Sequence, residues 1–232
     1  MLNHQNIAKK KADAYLERGT ARLVEADGKH IYYDGDSAPL PSISKILSVF
    51  AFNEYLEINP DILEEAAMIG KAVHAYAEAT ILGHTYEADS MVAEDVRYQN
   101  CVRAFTSWKK DKELIPLLIE QPLVSARLGF GGTPDFIGYV NGKLSVYDHK
   151  TGAIQFKNFI QLELLAHLLW NIVGIKVRRL VLLELNKITG EFKERSSPDR
   201  YKSREYAMRV LRFYRQTENF KKIVDGRRRI II

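Results

Sequence analysis

Asp135, Asp148 and Lys150 are the residues whose types and spacing most invite chemistry. The two aspartates flank Asn141-Gly142, a dipeptide that favours a two-residue type I′ hairpin turn. With Val140 facing Lys143 across that turn, Asp135 falls opposite Asp148. Opposed hairpin side chains have Cβ atoms roughly 4.5 to 5.5 Å apart, which crowds two negative charges unless a cation joins them. Strand side chains alternate between faces, so Lys150 shares the face of Asp148 and His149 points to the other. Further along the first face Ile137 pairs with Val146 and Tyr139 with Leu144, which leaves the polar cluster at one end of an apolar surface.

Facing carboxylates with a lysine suit a divalent cation that holds a phosphate, while the ammonium steadies an attacking water or the developing negative charge. The chemistry implied is phosphodiester hydrolysis with Mg2+ or Mn2+ as cofactor. An ordinary hairpin with a surface salt bridge from Lys150 to either aspartate is the bland alternative, because Asp-x-Lys triplets are common by chance. The register, which gathers both acids and the lysine, favours the site.

Other elements must position the remaining groups. Asn59-Pro60-Asp61 followed by Glu64 and Glu65 starts a helix expected to run to about Leu82, with Gly70, His74 and Glu78 on one face. Gly70 permits close approach of another backbone, and His74 looks into whatever packs there; taken alone, a helical histidine is more often a packing residue than a ligand. Residues 117–125 read as a strand whose conspicuous acid, Glu120, is either a metal ligand through water or the partner of a nearby cation.

Residues 157–173 carry the helical pattern Phe159, Ile160, Leu164, Leu168, Ile172 and end at Gly174, with Gln161 in the first turn. Glu163 and His167 read as a surface pair on another face. Ser42 can cap a short helix whose apolar side includes Ile43, Ile46 and Leu47. A helix over 5–18, a hairpin around Asp27-Gly28, and a helix over 91–112 with Val92, Val96, Cys101, Phe105 and Trp108 inward are also expected. A strand over 177–185 and a last helix over 201–222 follow. The tail Arg227-Arg-Arg-Ile-Ile-Ile232 reads as a frayed terminus, a phosphate contact or a docking strand.

At Pro134-Asp135 and Asp148-His149-Lys150 the sequence resembles the PD-(D/E)XK nuclease superfamily, whose two acidic motifs these match. Asp148-His149-Lys150-Thr151-Gly152 looks most like the RecB-type exonuclease branch. Gly70-Lys-Ala-Val-His74 matches that branch's Gly-x-x-x-His motif, and Gln161 the glutamine of its Gln-x-x-x-Tyr motif, whose tyrosine is replaced here by Leu165. The stretch from Pro39 to Leu47 resembles the proline-serine segment that opens many phage and mitochondrial single-strand exonucleases of the superfamily.

The resemblance implies an α/β fold, a restriction-endonuclease-like core with a small mixed β-sheet flanked by helices. It implies that His74, Asp135, Asp148 and the backbone carbonyl of His149 hold the metal, and that Lys150 and Gln161 orient the water. Glu120 is a possible accessory, and Glu78 either assists or is an exposed acid. Nucleic-acid contacts are expected at Ser42, Arg127 and Lys157. The activity implied is that of a DNA exonuclease of recombination, repair or replication, acting on single strands or duplex ends, with a recombination or replication protein as partner. A structure-selective flap or single-strand endonuclease and a non-catalytic DNA-binding subunit are the alternatives.

Composition sets outer limits. At 232 residues and 46% hydrophobic content the chain can bury one sizeable core. One domain over 1–232 is expected, with a helical and hairpin N-terminal extension (1–58) and the C-terminal helix. No stretch approaches the roughly 20 apolar residues of a membrane span and no signal-peptide pattern opens the chain, so the expected location is the cytoplasm, the host's if the protein is viral. The lone cysteine, Cys101, excludes a four-cysteine centre within one chain, so the resemblance is to branch members without an iron-sulfur cluster. A net charge of +5 is compatible with a polyanionic partner.

Overall fold

The computed structural model describes residues 2–26, 28–50, 59–197 and 199–228. In chain order the elements are α1 (Leu2–Arg18), β1 (Ala21–Ala26), β2 (Lys29–Asp34), β3 (Leu40–Pro41), α2 (Ile43–Leu47), α3 (Pro60–Leu82), α4 (Ser90–Ala93) and α5 (Val96–Lys110). Then come β4 (Leu114–Ile119), β5 (Leu123–Ser125), β6 (Phe130–Gly132), β7 (Phe136–Val140), β8 (Lys143–Lys150), α6 (Phe156–Leu168), β9 (Arg179–Leu185), β10 (Phe192–Ser196) and α7 (Arg200–Arg228). The last residues of the basic and apolar tail, 229–232, lie outside the described residues, as does Asp27 in the β1–β2 turn.

One turn and a period of two organise the centre. Asn141 and Gly142 lie at φ 49° and 74°, the left-handed backbone that a type I′ turn requires and that these residues tolerate best. β7 and β8 therefore pair with Val140 opposite Lys143 and Phe136 opposite Tyr147, the expected register. β4 lies antiparallel to β7, and β9 lies parallel to β8. A parallel neighbour needs a crossover, which α6 supplies. β10 pairs antiparallel with β9, completing a mixed sheet in the order β10-β9-β8-β7-β4. Residues 192–196, Phe-Lys-Glu-Arg-Ser, carry no apolar alternation; this edge strand is specified by pairing with β9 rather than by its own pattern.

The sheet is covered on both sides. Leu118, Ile137, Val146 and Leu182 face a core shared with α1 and α6, while Phe136, Tyr147, Val181 and Leu183 face one shared with α3 and α5. α7 packs over α6 through Ala207, Val210 and Leu211. Because α6 lies between sheet and helix, Leu162, Leu164, Leu165 and Leu168 are all buried, a wider apolar surface than one stripe. α6 stops at Leu168 and continues as a π-helical turn, Leu169–Val173, closed by Gly174 at φ 72°.

Two expected elements are broken in two. The strand read over 117–125 ends at Ile119; Glu120 turns at φ 47°, and Pro122 has no N–H to continue a ladder. The pairing nevertheless runs on in step, with Ile119 opposite Phe136 and Leu123 opposite Gly132, so β4–β5 and β6–β7 form one sharply bent hairpin. Its far arm packs closely on neighbours: a methyl on Gly132 would lie 2.4 Å from Ile43 Cδ1. The helix read over 91–112 is divided into α4 and α5 by Asp95, whose carboxylate accepts from the Arg97 N–H at 2.7 Å as an N-cap. Val96 thus starts a helix and is 64% exposed rather than inward, whereas Cys101, Phe105 and Trp108 are buried as expected. Among the described residues no helix is long and apolar enough to cross a membrane.

Candidate metal centre

The site forms where β8 ends and the long hairpin bends. Alternation sends Asp148 with Val146 toward α6, and His149 with Tyr147 toward α5, where its ring meets Phe105 at 5.4 Å. Asp135 stands one residue before β7, so its carboxylate is not confined to one sheet face. It accepts from the backbone N–H of His149 at 2.5 Å through Oδ2. His74 reaches the same oxygen from α3, with Nδ1 at 3.4 Å, and His149 Nδ1 lies 3.6 Å from it. His74, Asp135 and His149 each offer a ligand atom, all within 4.8 Å of one another.

Asp148 belongs to a second, adjoining set. Gln161 Nε2 donates to its Oδ1 at 3.0 Å, and the Lys150 ammonium lies 2.6 Å from Oδ2. Lys157 sits one turn before Gln161 on the same side of α6. Glu120 faces the cluster from the bend, with Oε1 3.7 Å from His74 Nδ1. Its left-handed backbone is held by an N–H bond to the Pro134 carbonyl at 3.2 Å. Such strain in a non-glycine residue concentrates at functional sites.

Burial and neighbouring charge drive the protonation states apart. Asp135 foremost, against burial, raises His74 well above the usual 6.5. Burial would raise Asp135, but His74, His149 and Lys150 hold its carboxyl well below the ordinary range. Burial, opposed by Lys150 and reinforced by Asp135, pushes Asp148 up to about 6. Burial depresses His149 to about 4, leaving a neutral imidazole ready to donate a lone pair. Burial works against the Lys150 ammonium, yet Asp148 and Asp135 outweigh it and raise its pKa. Burial raises Glu120, with further contributions from Asp135 and Glu78 opposed by His74.

The donor chemistry fits a divalent cation. One carboxylate and two imidazoles converge, His149 Nε2 is buried without a hydrogen-bond partner, and the acids around His74 draw a proton onto it where a metal would bring more charge.

The other expected residues divide. His74, Asp135, Asp148, His149, Lys150 and Gln161 come together, with Glu120 at the rim and Glu78 close enough to raise the Glu120 carboxyl. Ser42 is buried, its hydroxyl accepting from the Lys45 N–H at 3.0 Å as the cap of α2. Arg127 lies in the β5–β6 turn and donates to Asn171 at 3.0 Å. A methyl on Gly70 would meet Thr151 Oγ1 at 3.8 Å, an ordinary contact, so this helix does not need glycine for close approach. Glu163 is buried, not part of a surface pair: Arg200 Nε donates to it at 3.2 Å, because α7 covers that face of α6. From sequence His149 is expected to act through its backbone carbonyl; its ring converges with Asp135 instead, which no motif spacing signals. No protein-family model matches the chain, and no curated protein matches it.

Proposed function

We propose that this chain is a metal-dependent nuclease that hydrolyses DNA phosphodiester bonds from strand ends, built on a restriction-endonuclease-like core of the PD-(D/E)XK kind. The observation that carries this reading is the junction of two sets of groups at the end of β8. His74, Asp135 and His149 would hold the cation, and beside them Asp148 is gripped by Lys150 and Gln161. Imidazole donors favour Mn2+ over Mg2+, which prefers an all-oxygen shell. When bound, such a cation polarises a phosphoryl oxygen and makes water a better nucleophile at neutral pH.

The chain's own residues do the rest. Lys150 remains an ammonium beside its two carboxylates, so it stabilises negative charge developing on the phosphate rather than accepting a proton. Gln161 commits its N–H to Asp148 and keeps its carbonyl oxygen to accept from an attacking water. Asp148, ionised above about pH 6, adds the negative charge that retains the cation. Glu120, 3.7 Å from His74 Nδ1, adds negative charge beside the ring.

The test is degradation of end-labelled linear and closed circular single-stranded DNA with Mn2+, Mg2+ or chelator, for wild type and Asp148→Ala. Metal-dependent loss of linear DNA alone, slowed at least about 100-fold by the substitution, is the expected result. Nicked circles would replace the exonuclease with an endonuclease, and binding without cleavage in either metal would leave a non-catalytic DNA-binding protein.

A further inference from the structure

At the other end of β8 from the acids, cations gather instead. Lys143 begins the strand five residues before Asp148, a separation of roughly 17 Å at about 3.3 Å per residue. A cavity of about 470 Å³ opens there, lined by Lys143, Lys176, Arg178, Arg179 and Arg200 with Ser196 and Ser197, and by no carboxylate among the described residues. It shares Lys176 and Arg178 with a second cavity of about 550 Å³ that reaches Lys11 on α1. Lys176 and Arg200 also line a third, which continues to Trp170 and Arg204 and includes Glu163, paired with Arg200. The three form one basic trough from α1 across the start of β8 and β9 to α7.

Two of its cations are anchored: Arg179 by Glu194 on β10, and Arg200 by the buried Glu163 on α6. Among the described residues, none of Lys143, Lys176 and Arg178 pairs with a carboxylate, and Lys176 and Arg178 are exposed. Trp170 is 50% exposed, with the Lys176 ammonium 5.8 Å from its ring centroid. It stands on the π-helical turn that follows α6, an uncommon conformation that recurs at functional sites.

We propose that this trough binds a single nucleic-acid strand, with phosphates along the lysines and arginines and a base stacked on Trp170. Positive charge spread through three connected cavities matches a repeated anion better than one phosphate. An exposed indole offers stacking that only unpaired bases can use. No carboxylate lines its first two cavities among the described residues, and Glu163 in the third is taken up by Arg200, so the trough holds a strand and does not cut it. The assignment requires neither a metal nor Asp148, so it stands or falls separately from the nuclease reading.

Fluorescence anisotropy of a labelled 20-nucleotide poly-dT, titrated with the full chain in chelator at several salt concentrations, tests it. Lys176→Ala/Arg178→Ala truncates only exposed side chains and is expected to melt as wild type does. It should bind at least tenfold more weakly, with the slope of log affinity against log salt reduced by about 1.4, roughly 0.7 for each strand phosphate no longer neutralised. Trp170→Ala should lose about 5- to 100-fold with the slope unchanged, and Trp170→Phe should recover most of it. Wild-type affinity in both trough variants would overturn the proposal, as would equal affinity for a 20-base-pair duplex together with no effect of Trp170→Ala.

Discussion

Protonation governs when the cluster at the end of β8 can accept a cation. Asp148, pushed up to about 6, is neutral below that value, and His74, raised well above 6.5, carries a proton through the neutral range. Both shifts act in one direction: falling pH adds protons that a cation must displace. Mn2+ affinity should therefore rise at least tenfold from pH 6 to pH 8, with proton release on binding. Calorimetry in buffers of different ionisation enthalpy measures this, and pH-independent binding without proton release would sink the assignment of His74 as a ligand. Glu120 gives a second test. Glu120→Gly relieves a left-handed backbone worth about 1 to 2 kcal/mol while adding about 0.4 to 1 kcal/mol of unfolded-chain entropy. The variant should melt close to wild type yet cleave 10- to 100-fold more slowly, as expected when an acid beside a proposed metal ligand is removed. A large fall in melting temperature with full activity would make Glu120 a folding residue only.

Between elements, the site depends on how β4 and β7 meet. β4 bulges between Pro116 and Leu118 opposite Gly138, and a methyl there would lie 2.4 Å from the Ile115 carbonyl oxygen and 3.0 Å from Pro116 Cα. Backbone atoms cannot retreat as the tip of a side chain does. Gly138→Ala should thus cost about 1 to 3 kcal/mol and lower the melting temperature by roughly 2 to 12 °C. A melt within 1 °C of wild type would show that the bulge absorbs the methyl. The bend just before β7 places Asp135. It turns Asp135 off the β7 face onto the His149 N–H, where both histidines can reach it.

Across the whole molecule, the Glu163–Arg200 pair ties α6, which carries Gln161, to α7, which walls the basic trough. Glu163 is buried and Arg200 is 37% exposed on its side chain, so the loss expected from Arg200→Met is about 2 to 3 kcal/mol, below the range for a fully buried pair. Glu163→Leu/Arg200→Met should recover most of it, since no carboxylate is then left buried alone. Urea denaturation of the three proteins decides, and a double variant no better than the single would deny the pair this role. The arrangement as a whole sets acids and histidines at one end of β8 and a cluster of cations at the other.

Local rules made part of this legible. The Asn141-Gly142 turn and strict alternation specify register without reference to the rest of the chain, so Asp148, Lys150 and their apolar neighbours could be assigned to one face from the sequence. The caps at Asn59 and Ser42 were legible for the same reason: donor and acceptor lie within three residues. Whatever depended on which element covers which was not. Glu163 has the spacing of a surface residue on an isolated helix and is buried only because α7 crosses it. The His149 ring joins Asp135 only because α3, α5 and the hairpin bend converge there. The basic trough gathers Lys11, Lys143, Lys176, Arg178 and Arg200, which no periodicity relates. Sequence determined the turns, caps and strand faces, whose energies are local; only the tertiary structure decided burial and electrostatic neighbourhood, because those belong to pairs of residues distant along the chain.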